Sequence, residues 1–181
     1  MSEEYDLEIE HRAFDLHPGI PLEGELVQAN LQRAGGPSSF ARLADEAGLE
    51  HGERHHRYNS TPAHEATEWA TEQGQGDAFR RAVYRAYFVE DRNIGSAEVL
   101  TEIATQLGLD PDSLRSALED RRYHGKILTQ FEEAHNVGVS AVPTFVAGGY
   151  ALVGAHPLEN FRKLMAAVGE EPRITEPGPH S

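Results

Sequence analysis

Apolar residues recur three and four positions apart along most of the chain, which is the spacing of one face of an α-helix. Between residues 61 and 122, for example, Phe79, Val83, Ala86 and Tyr87 would lie on one side of a single helix. A Ser, Thr or Asp before a Pro or an apolar run is typical of a helix N-terminus. The predicted helices are residues 40–47, segments beginning at Thr61-Pro62, Ser96 and Asp110-Pro111, and segments around residues 128–134 and 158–168.

Two regions follow the two-residue period of a β-strand instead. From Leu7 to Ala13, apolar or neutral residues alternate with charged ones, which predicts a short strand over residues 6–13. Further on, two apolar runs flank Gly148-Gly149, a pair that favours a tight β-hairpin. The order strand, helices, hairpin, helix indicates an α/β unit that a helical insertion interrupts.

The length and composition fit a globular protein. The chain has 181 residues, of which 39% are hydrophobic and 25% charged, and this balance allows one domain with a sizeable insertion. No apolar run approaches the length that spans a bilayer, and the sequence begins with the acidic stretch "MSEEYDLEIEH". We therefore expect a cytoplasmic protein with no membrane partner.

The charge balance narrows the set of partners. The chain has 30 acidic residues against 16 Lys and Arg, for a formal net charge of −14, and its only lysines are Lys126 and Lys163. Such a surface repels nucleic acids and anionic membranes. It is also typical of a protein that is soluble in concentrated salt, where screening reduces self-repulsion. The alternative interpretation is an ordinary acidic cytosolic protein.

The sequence contains no signature of a metal site, a cofactor site or a nucleophile. It has no cysteine, which excludes disulfides and thiol chemistry by this chain alone. Its ten histidines include His51, His55 and His56, which we interpret as solvated loop residues, and the segment "HEATE" at 64–68 lacks the second histidine of a zinc-binding helix. Ser140 has no recognisable triad partner. We predict no catalytic residue, no metal ligand and no cofactor.

One stretch carries more information, "GVSAVPTFVAGGYALVGAHPLENF" at residues 138–161. It resembles the C-terminal half of the thioredoxin fold and, more closely, the FrnE-type branch of the DsbA-like family. The segments at 7–25, 59–70 and 86–110 are similar to that branch in the same order. The resemblance implies a thioredoxin-like α/β unit in residues 1–30 and 124–168, with a helical insertion at 31–123. The proline-rich residues 169–181 are predicted to be a disordered tail.

The resemblance also implies a binding site. The proline that corresponds to Pro143 is cis in the family, and it leaves the backbone of Val142 free to pair with an extended substrate. Val142, Pro143 and Thr144 are therefore the expected substrate-binding residues. The expected substrates are the disulfides of proteins or small thiols, whereas the oligomeric state is not predicted.

The sequence departs from the family at its beginning. Family members start with a strand and then a Cys-x-x-Cys at the N-terminus of the first helix, where the helix dipole lowers the thiol pKa. We expect this first strand and first helix to be missing here, with Met1 an internal start, so that the strand at 6–13 would lack its neighbour.

Three functions therefore remain open, and whether the chain is itself an enzyme is not decided. The first is a thiol–disulfide oxidoreductase of the FrnE type that is redox-inactive as given. The second is a relative of the glutathione-dependent 2-hydroxychromene-2-carboxylate isomerases, which use a serine at the first motif position. The third is a non-catalytic binding module with a thioredoxin fold.

Overall fold

The computed structural model describes residues 1–27 and 39–173. The chain forms two compact units, which we call the helical unit (His17–Phe131) and the terminal unit (Met1–Leu16 with the described chain from Glu132). Every helix in the described ranges is too short or too polar to cross a lipid bilayer. The elements are β1 (Glu25–Leu26), α1 (Ser39–Glu46), β2 (His56–Arg57), α2 (Thr61–Glu72), α3 (Gly76–Phe88), α4 (Ala97–Gln106), α5 (Pro111–Glu119), α6 (His124–Asn136), β3 (Thr144–Ala147), β4 (Tyr150–Val153) and α7 (Leu158–Ala167).

The helical unit contains the larger hydrophobic core. Its centre is built by α2, α3, α4 and α5, and the predicted face of α3 is confirmed, because Phe79, Val83 and Ala86 are all buried. Burial of a large side chain such as Phe79 or Val83 contributes about 1.5–3 kcal/mol to stability before the entropy cost of ordering it. The buried core residues are Ala63, Ala66, Trp69, Ala70, Phe79, Val83, Ala86, Ile94, Leu100, Ile103, Ala104, Leu114, Ala117 and Tyr123.

The residues predicted to cap the helix N-termini do not all form capping hydrogen bonds. Asp110 is confirmed as the N-cap of α5, because its side chain accepts hydrogen bonds from the backbone N–H groups of Asp112 and Ser113. Ser96 occupies the N-cap position of α4 without a side-chain hydrogen bond. The prediction that Thr61 caps α2 is wrong by one residue, since Ser60 holds the N-cap position.

A β-hairpin and a helix provide most of the regular structure of the terminal unit. β3 and β4 pair antiparallel, with Thr144 opposite Val153 and Ala147 opposite Tyr150. The predicted turn at Gly148-Gly149 is confirmed, and its φ angles of 51° and 84° are the left-handed values that a two-residue hairpin turn of type I′ requires. A Cβ on Gly148 would lie 2.7 Å from Cγ1 of Val168, so a larger residue does not fit there.

The predicted strand at residues 6–13 is wrong. No regular strand forms there, although Tyr5 is buried and Leu7 packs on the same cluster as Leu164 and Met165 of α7. A strand requires a neighbour that accepts and donates its ladder hydrogen bonds. Among the described residues, no strand pairs with this segment.

The structure adds two features that the sequence pattern does not predict. β1 and β2 form a small ladder in the helical unit, with Leu26 opposite His56. In the predicted tail, Arg173 donates its backbone N–H to the carbonyl of Glu4 and forms an ion pair with Asp6. The predicted boundary at 30/31 and residues 174–181 of the predicted tail lie outside the described residues.

A buried carboxylate lies in the helical unit. The Glu65 side chain on α2 is 1% exposed, with Arg121 Nη2 at 3.0 Å and His124 Nδ1 at 3.3 Å from Oε1. Burial raises the pKa of the Glu65 carboxyl above its ordinary value, and the opposing effects of Arg121 and His124 are smaller. The ionised form is therefore disfavoured by folding.

We expect this carboxylate to make stability fall as pH rises. A carboxyl group with a raised folded-state pKa binds its proton more tightly in the folded than in the unfolded chain. Its contribution is therefore lost as pH rises from the ordinary Glu value through the folded value. Thermal unfolding of wild type and Glu65→Gln between pH 4 and pH 8 should show that the stability of the variant relative to wild type rises with pH.

The exposed Glu119, on α5 of the same unit, provides the control. Glu119→Gln should follow the wild-type pH profile. Parallel profiles for all three proteins would contradict the assignment of a raised pKa to Glu65.

Candidate functional site

The three predicted site residues lie together where the chain enters β3. The Val142–Pro143 peptide bond is cis, and Val142 is 48% exposed. The Pro143 carbonyl accepts a hydrogen bond from the backbone N–H of Gly154 at 2.7 Å. The Thr144 hydroxyl donates to the carbonyl of Ala141, also at 2.7 Å. These two hydrogen bonds fix Pro143 to β4 and Thr144 to Ala141. Val142 lies between Ala141 and Pro143 and takes part in neither bond.

The ladder register determines which backbone groups face outward. Opposite residues in an antiparallel pair alternate between exchanging two hydrogen bonds and exchanging none. Because Gly154 bonds to Pro143, the bonded pairs that follow are Phe145 with Leu152 and Ala147 with Tyr150. The N–H and C=O groups of Thr144 and Val146 therefore point to the outer edge of β3.

Val142 extends this outer edge by one more residue. Within the described part of the chain, neither its N–H nor its C=O has a hydrogen-bond partner. Val142 is also about half-exposed. An extended peptide that lies beside β3 could form hydrogen bonds with Val142 without breaking any existing bond.

Side-chain packing against α7 supports the hairpin on one face only. The Phe145 and Phe161 rings meet edge to face, with their centroids 4.8 Å apart. Ala147 and Leu152 contact the buried cluster on α7 from the same face. On the opposite face Val146 is 62% exposed, so the sheet there is uncovered by the terminal unit itself.

The site contains hydrogen-bonding and apolar groups but no nucleophile. The chain has no cysteine, and the Thr144 hydroxyl is already engaged as a donor. Across residues 1–27 and 39–173, no group of three or more His, Cys, Asp or Glu side chains is arranged to hold a metal ion. The arrangement offers backbone donors and acceptors to an extended ligand.

The three histidines interpreted as solvated loop residues differ in their contacts. His51 Nε2 lies 3.0 Å from Asp45 Oδ1, and His56 Nδ1 lies 3.2 Å from Asp91 Oδ2, whereas His55 is exposed. His56 also belongs to β2 rather than to a loop. The Asp91 partner is 35 residues away in sequence, so no local pattern indicates the pair.

Sequence reasoning also missed a bridge at the end of β4. The imidazole of His156 lies between two partners, with Nε2 2.8 Å from the carbonyl of Val153 and Nδ1 3.0 Å from Nδ2 of Asn160. The neutral tautomer with hydrogen on Nε2 satisfies both contacts, because Nε2 then donates to the carbonyl and Nδ1 accepts from the amide. His156 is therefore the hydrogen-bond partner of the Val153 carbonyl, which is the last outward-facing carbonyl of β4.

The family of the chain follows from comparison with known proteins. The model of the DSBA-like thioredoxin domain matches residues 1–166. The chain belongs to this family. Its helices, its antiparallel hairpin and its closing helix are the described parts of a DsbA-like thioredoxin fold that carries a helical insertion.

Individual relatives agree with this assignment. The uncharacterized protein YwbO of Bacillus subtilis is 30% identical over 165 residues, which cover 89% of this chain and 82% of YwbO. A probable DsbA oxidoreductase of Streptomyces coelicolor is 28% identical, with a TM-score of 0.74 over 94% of this chain and 77% of that one. A 2-hydroxychromene-2-carboxylate isomerase shares the fold at 20% identity and a TM-score of 0.65, covering 91% of this chain and 81% of its own.

We expect the Thr144 hydroxyl to stabilise the segment that carries the site. Thr144→Val keeps the shape of the side chain but removes the hydrogen bond to the Ala141 carbonyl. The variant should lower the free energy of unfolding of the terminal unit by about 0.5–1.5 kcal/mol. Denaturant titration measures this change. Thr144→Ser retains the hydroxyl and should cost less, and equal effects of the two variants would contradict the assigned role of this bond.

Proposed function

We propose that this chain is a DsbA-family protein of the FrnE-type branch that binds the extended backbone of thiol- or disulfide-bearing substrates at Val142, Pro143 and Thr144. As given, it is redox-inactive. The substrates in this proposal are proteins or small thiols in their disulfide forms. A cytoplasmic location and adaptation to concentrated salt, both expected from the composition, belong to the same proposal.

The observation that carries the proposal is the unpaired backbone of Val142. A half-exposed residue with a free N–H and a free C=O, next to the outward-facing groups of Thr144, offers a peptide two backbone hydrogen bonds in strand geometry. Backbone recognition is tolerant of the substrate's sequence, which suits a protein that handles many disulfides. The 28% identity to a probable DsbA oxidoreductase supports the same substrate class.

Redox inactivity follows from the chemistry of exchange. A thiolate must attack one sulfur of a disulfide and displace the other as a thiolate. No sulfhydryl is present among the 181 residues, and the thioethers of Met1 and Met165 have no ionisable proton. Exchange at this site therefore requires a thiol that this chain does not contain.

Two alternatives differ from the proposal in what they bind or convert. An isomerase of the 2-hydroxychromene-2-carboxylate type would convert that substrate in the presence of glutathione, and the shared fold is the reason to consider it. A binding module outside redox biology would bind extended peptides whether or not they carry a sulfur. The experiment below separates these outcomes.

We expect binding without turnover. The probe is a hexapeptide whose central cysteine forms a mixed disulfide with glutathione, and isothermal calorimetry measures its binding. Val142→Pro removes the N–H and should weaken binding about tenfold, because one direct hydrogen bond is lost and its partner is left unpaired. In the same preparation, the rate of insulin reduction by glutathione should equal the rate without protein.

The matched control is Val142→Thr, which keeps the N–H and the shape of the side chain and should bind as wild type does. Equal affinity of Val142→Pro and wild type, or no binding by wild type, would overturn the proposed site. Accelerated insulin reduction would overturn redox inactivity. Equal binding of a peptide with serine in place of the mixed disulfide would favour the binding module, and isomerisation with glutathione would favour the isomerase.

We also expect thermal stability to rise with salt. Between about 0.1 M and 1 M ionic strength the screening length falls from about 10 Å to about 3 Å, which reduces repulsion within a chain of net charge −14. Melting curves in potassium chloride test this, and chloride is preferable to sulfate because sulfate strengthens apolar burial in any protein. A flat or falling melting temperature would contradict the high-salt interpretation.

A further inference from the structure

A groove runs along the outer edge of β4, on the side of the hairpin away from β3. One wall is residues 150–152 of the strand, and the other is a single face of α7, at positions spaced three and four apart. The groove is shallow and open to solvent, and its volume of about 290 Å³ is below the ~300–1,000 Å³ typical of small-molecule pockets, so it has room for only a side chain or two of a peptide. We call it the β4–α7 groove, and its lining residues are Tyr150, Ala151, Leu152, Asn160, Lys163, Leu164 and Ala167.

The strand wall of the groove offers free backbone groups at one residue. By the alternation of the ladder, the N–H and C=O groups of Ala151 and Val153 point away from β3. His156 already occupies the Val153 carbonyl. Within the described chain Ala151 has no partner for its outward N–H and C=O, so the open part of the edge is centred on Ala151.

Among the described residues, the only charged one that lines the groove is a lysine. Lys163 is one of two lysines in a chain of net charge −14. Its ammonium lies 2.8 Å from the carboxylate of Glu159, but the two side chains are 69% and 71% exposed, and exposed pairs of this kind are weak. Since an ammonium has three N–H donors, Lys163 can bind a second carboxylate at the groove.

These three features define one kind of occupant. We propose that the β4–α7 groove binds the carboxyl-terminal end of an extended apolar peptide from a partner protein. One peptide residue pairs with the N–H and C=O of Ala151, a neighbouring apolar side chain enters the groove against Leu152 and Leu164, and the terminal carboxylate contacts Lys163. A strand edge beside a helix is a known mode of peptide recognition by strand addition.

The charge of the chain decides against a second copy of itself as the occupant. Two copies with a net charge of −14 each repel one another. A peptide that brings one carboxylate to the lysine and no further charge does not meet the same barrier. This site needs no thiol and is separate from the β3 edge, so it stands or falls independently of the redox proposal.

The test uses a fluorescein-labelled hexapeptide, Gly-Ser-Thr-Val-Ile-Val, with a free carboxyl terminus, and measures its binding to the full chain by fluorescence anisotropy. The same peptide with an amidated terminus should bind about fivefold more weakly, since it loses the contact with Lys163. Ala151→Pro should weaken binding about tenfold. The hairpin should persist, because proline is tolerated where the N–H of an edge strand faces outward.

Matched variants distinguish the groove from general effects. Ala151→Ser keeps the N–H and should bind as wild type does. Lys163→Gln should remove the preference for the free carboxylate, whereas Lys126→Gln, which alters the other lysine, should retain it. Equal binding of the free and amidated peptides, or wild-type affinity of Ala151→Pro, would overturn the proposal. A wild-type dimer in light scattering that Ala151→Pro converts to a monomer would overturn it in favour of a second copy.

Discussion

The hydrogen-bond register between β3 and β4 is the constraint on which the terminal unit depends. It is fixed by a two-residue turn in which Gly148 and Gly149 both have positive φ, a conformation that L residues with a side chain avoid. A slip by one residue would exchange the two faces of a strand. Phe145 would leave Phe161, and Val146 would face α7 instead.

The same register determines which backbone groups each edge of the hairpin presents. On β3 it directs the backbone groups of Thr144 and Val146 outward, in line with the unpaired Val142. On β4 it directs those of Ala151 outward, while His156 occupies the carbonyl of Val153. Both proposed sites therefore depend on one turn, although the ligands proposed for them differ.

The two units differ in how much core supports them. The helical unit surrounds Phe79, Leu100 and Leu114 with apolar neighbours, whereas the buried residues of the terminal cluster are Tyr5, Leu164 and Met165. Regions with little buried apolar area open at a lower free energy than the rest of a protein. We therefore infer that ligands which pair with a hairpin edge stabilise the terminal unit more than the helical unit.

The helices and the hairpin were predictable from the sequence because their signals are local. Periodic apolar positions, the Asp110 cap and the Gly148-Gly149 turn each act within a few residues. The prediction of a strand at residues 6–13 failed for a non-local reason. Alternation of apolar and charged residues suits a strand, but a strand forms only where a neighbouring strand provides hydrogen-bond partners. The site at Pro143 could be predicted only from the resemblance to the family. The apolar pattern around Pro143 predicts the start of a strand and nothing more.

The remaining features depend on partners that are distant in sequence. The pairing of His56 with Asp91 links residues 35 positions apart. Glu65 lies on the same buried face of α2 as Ala66 and Trp69, but its contact Arg121 comes from beyond the end of α5. Such contacts are products of the tertiary fold, so a single sequence contains no local signal for them.

The central claim is that the outer edge of β3 is open, and amide hydrogen exchange at four consecutive residues tests it most directly. In the free protein, the N–H groups of Phe145 and Ala147 donate to β4 and should exchange slowly, whereas those of Thr144 and Val146 should exchange at nearly the rate of an unfolded chain. Equal protection at all four residues would contradict the account, because it would mean that another segment or another molecule already covers this edge.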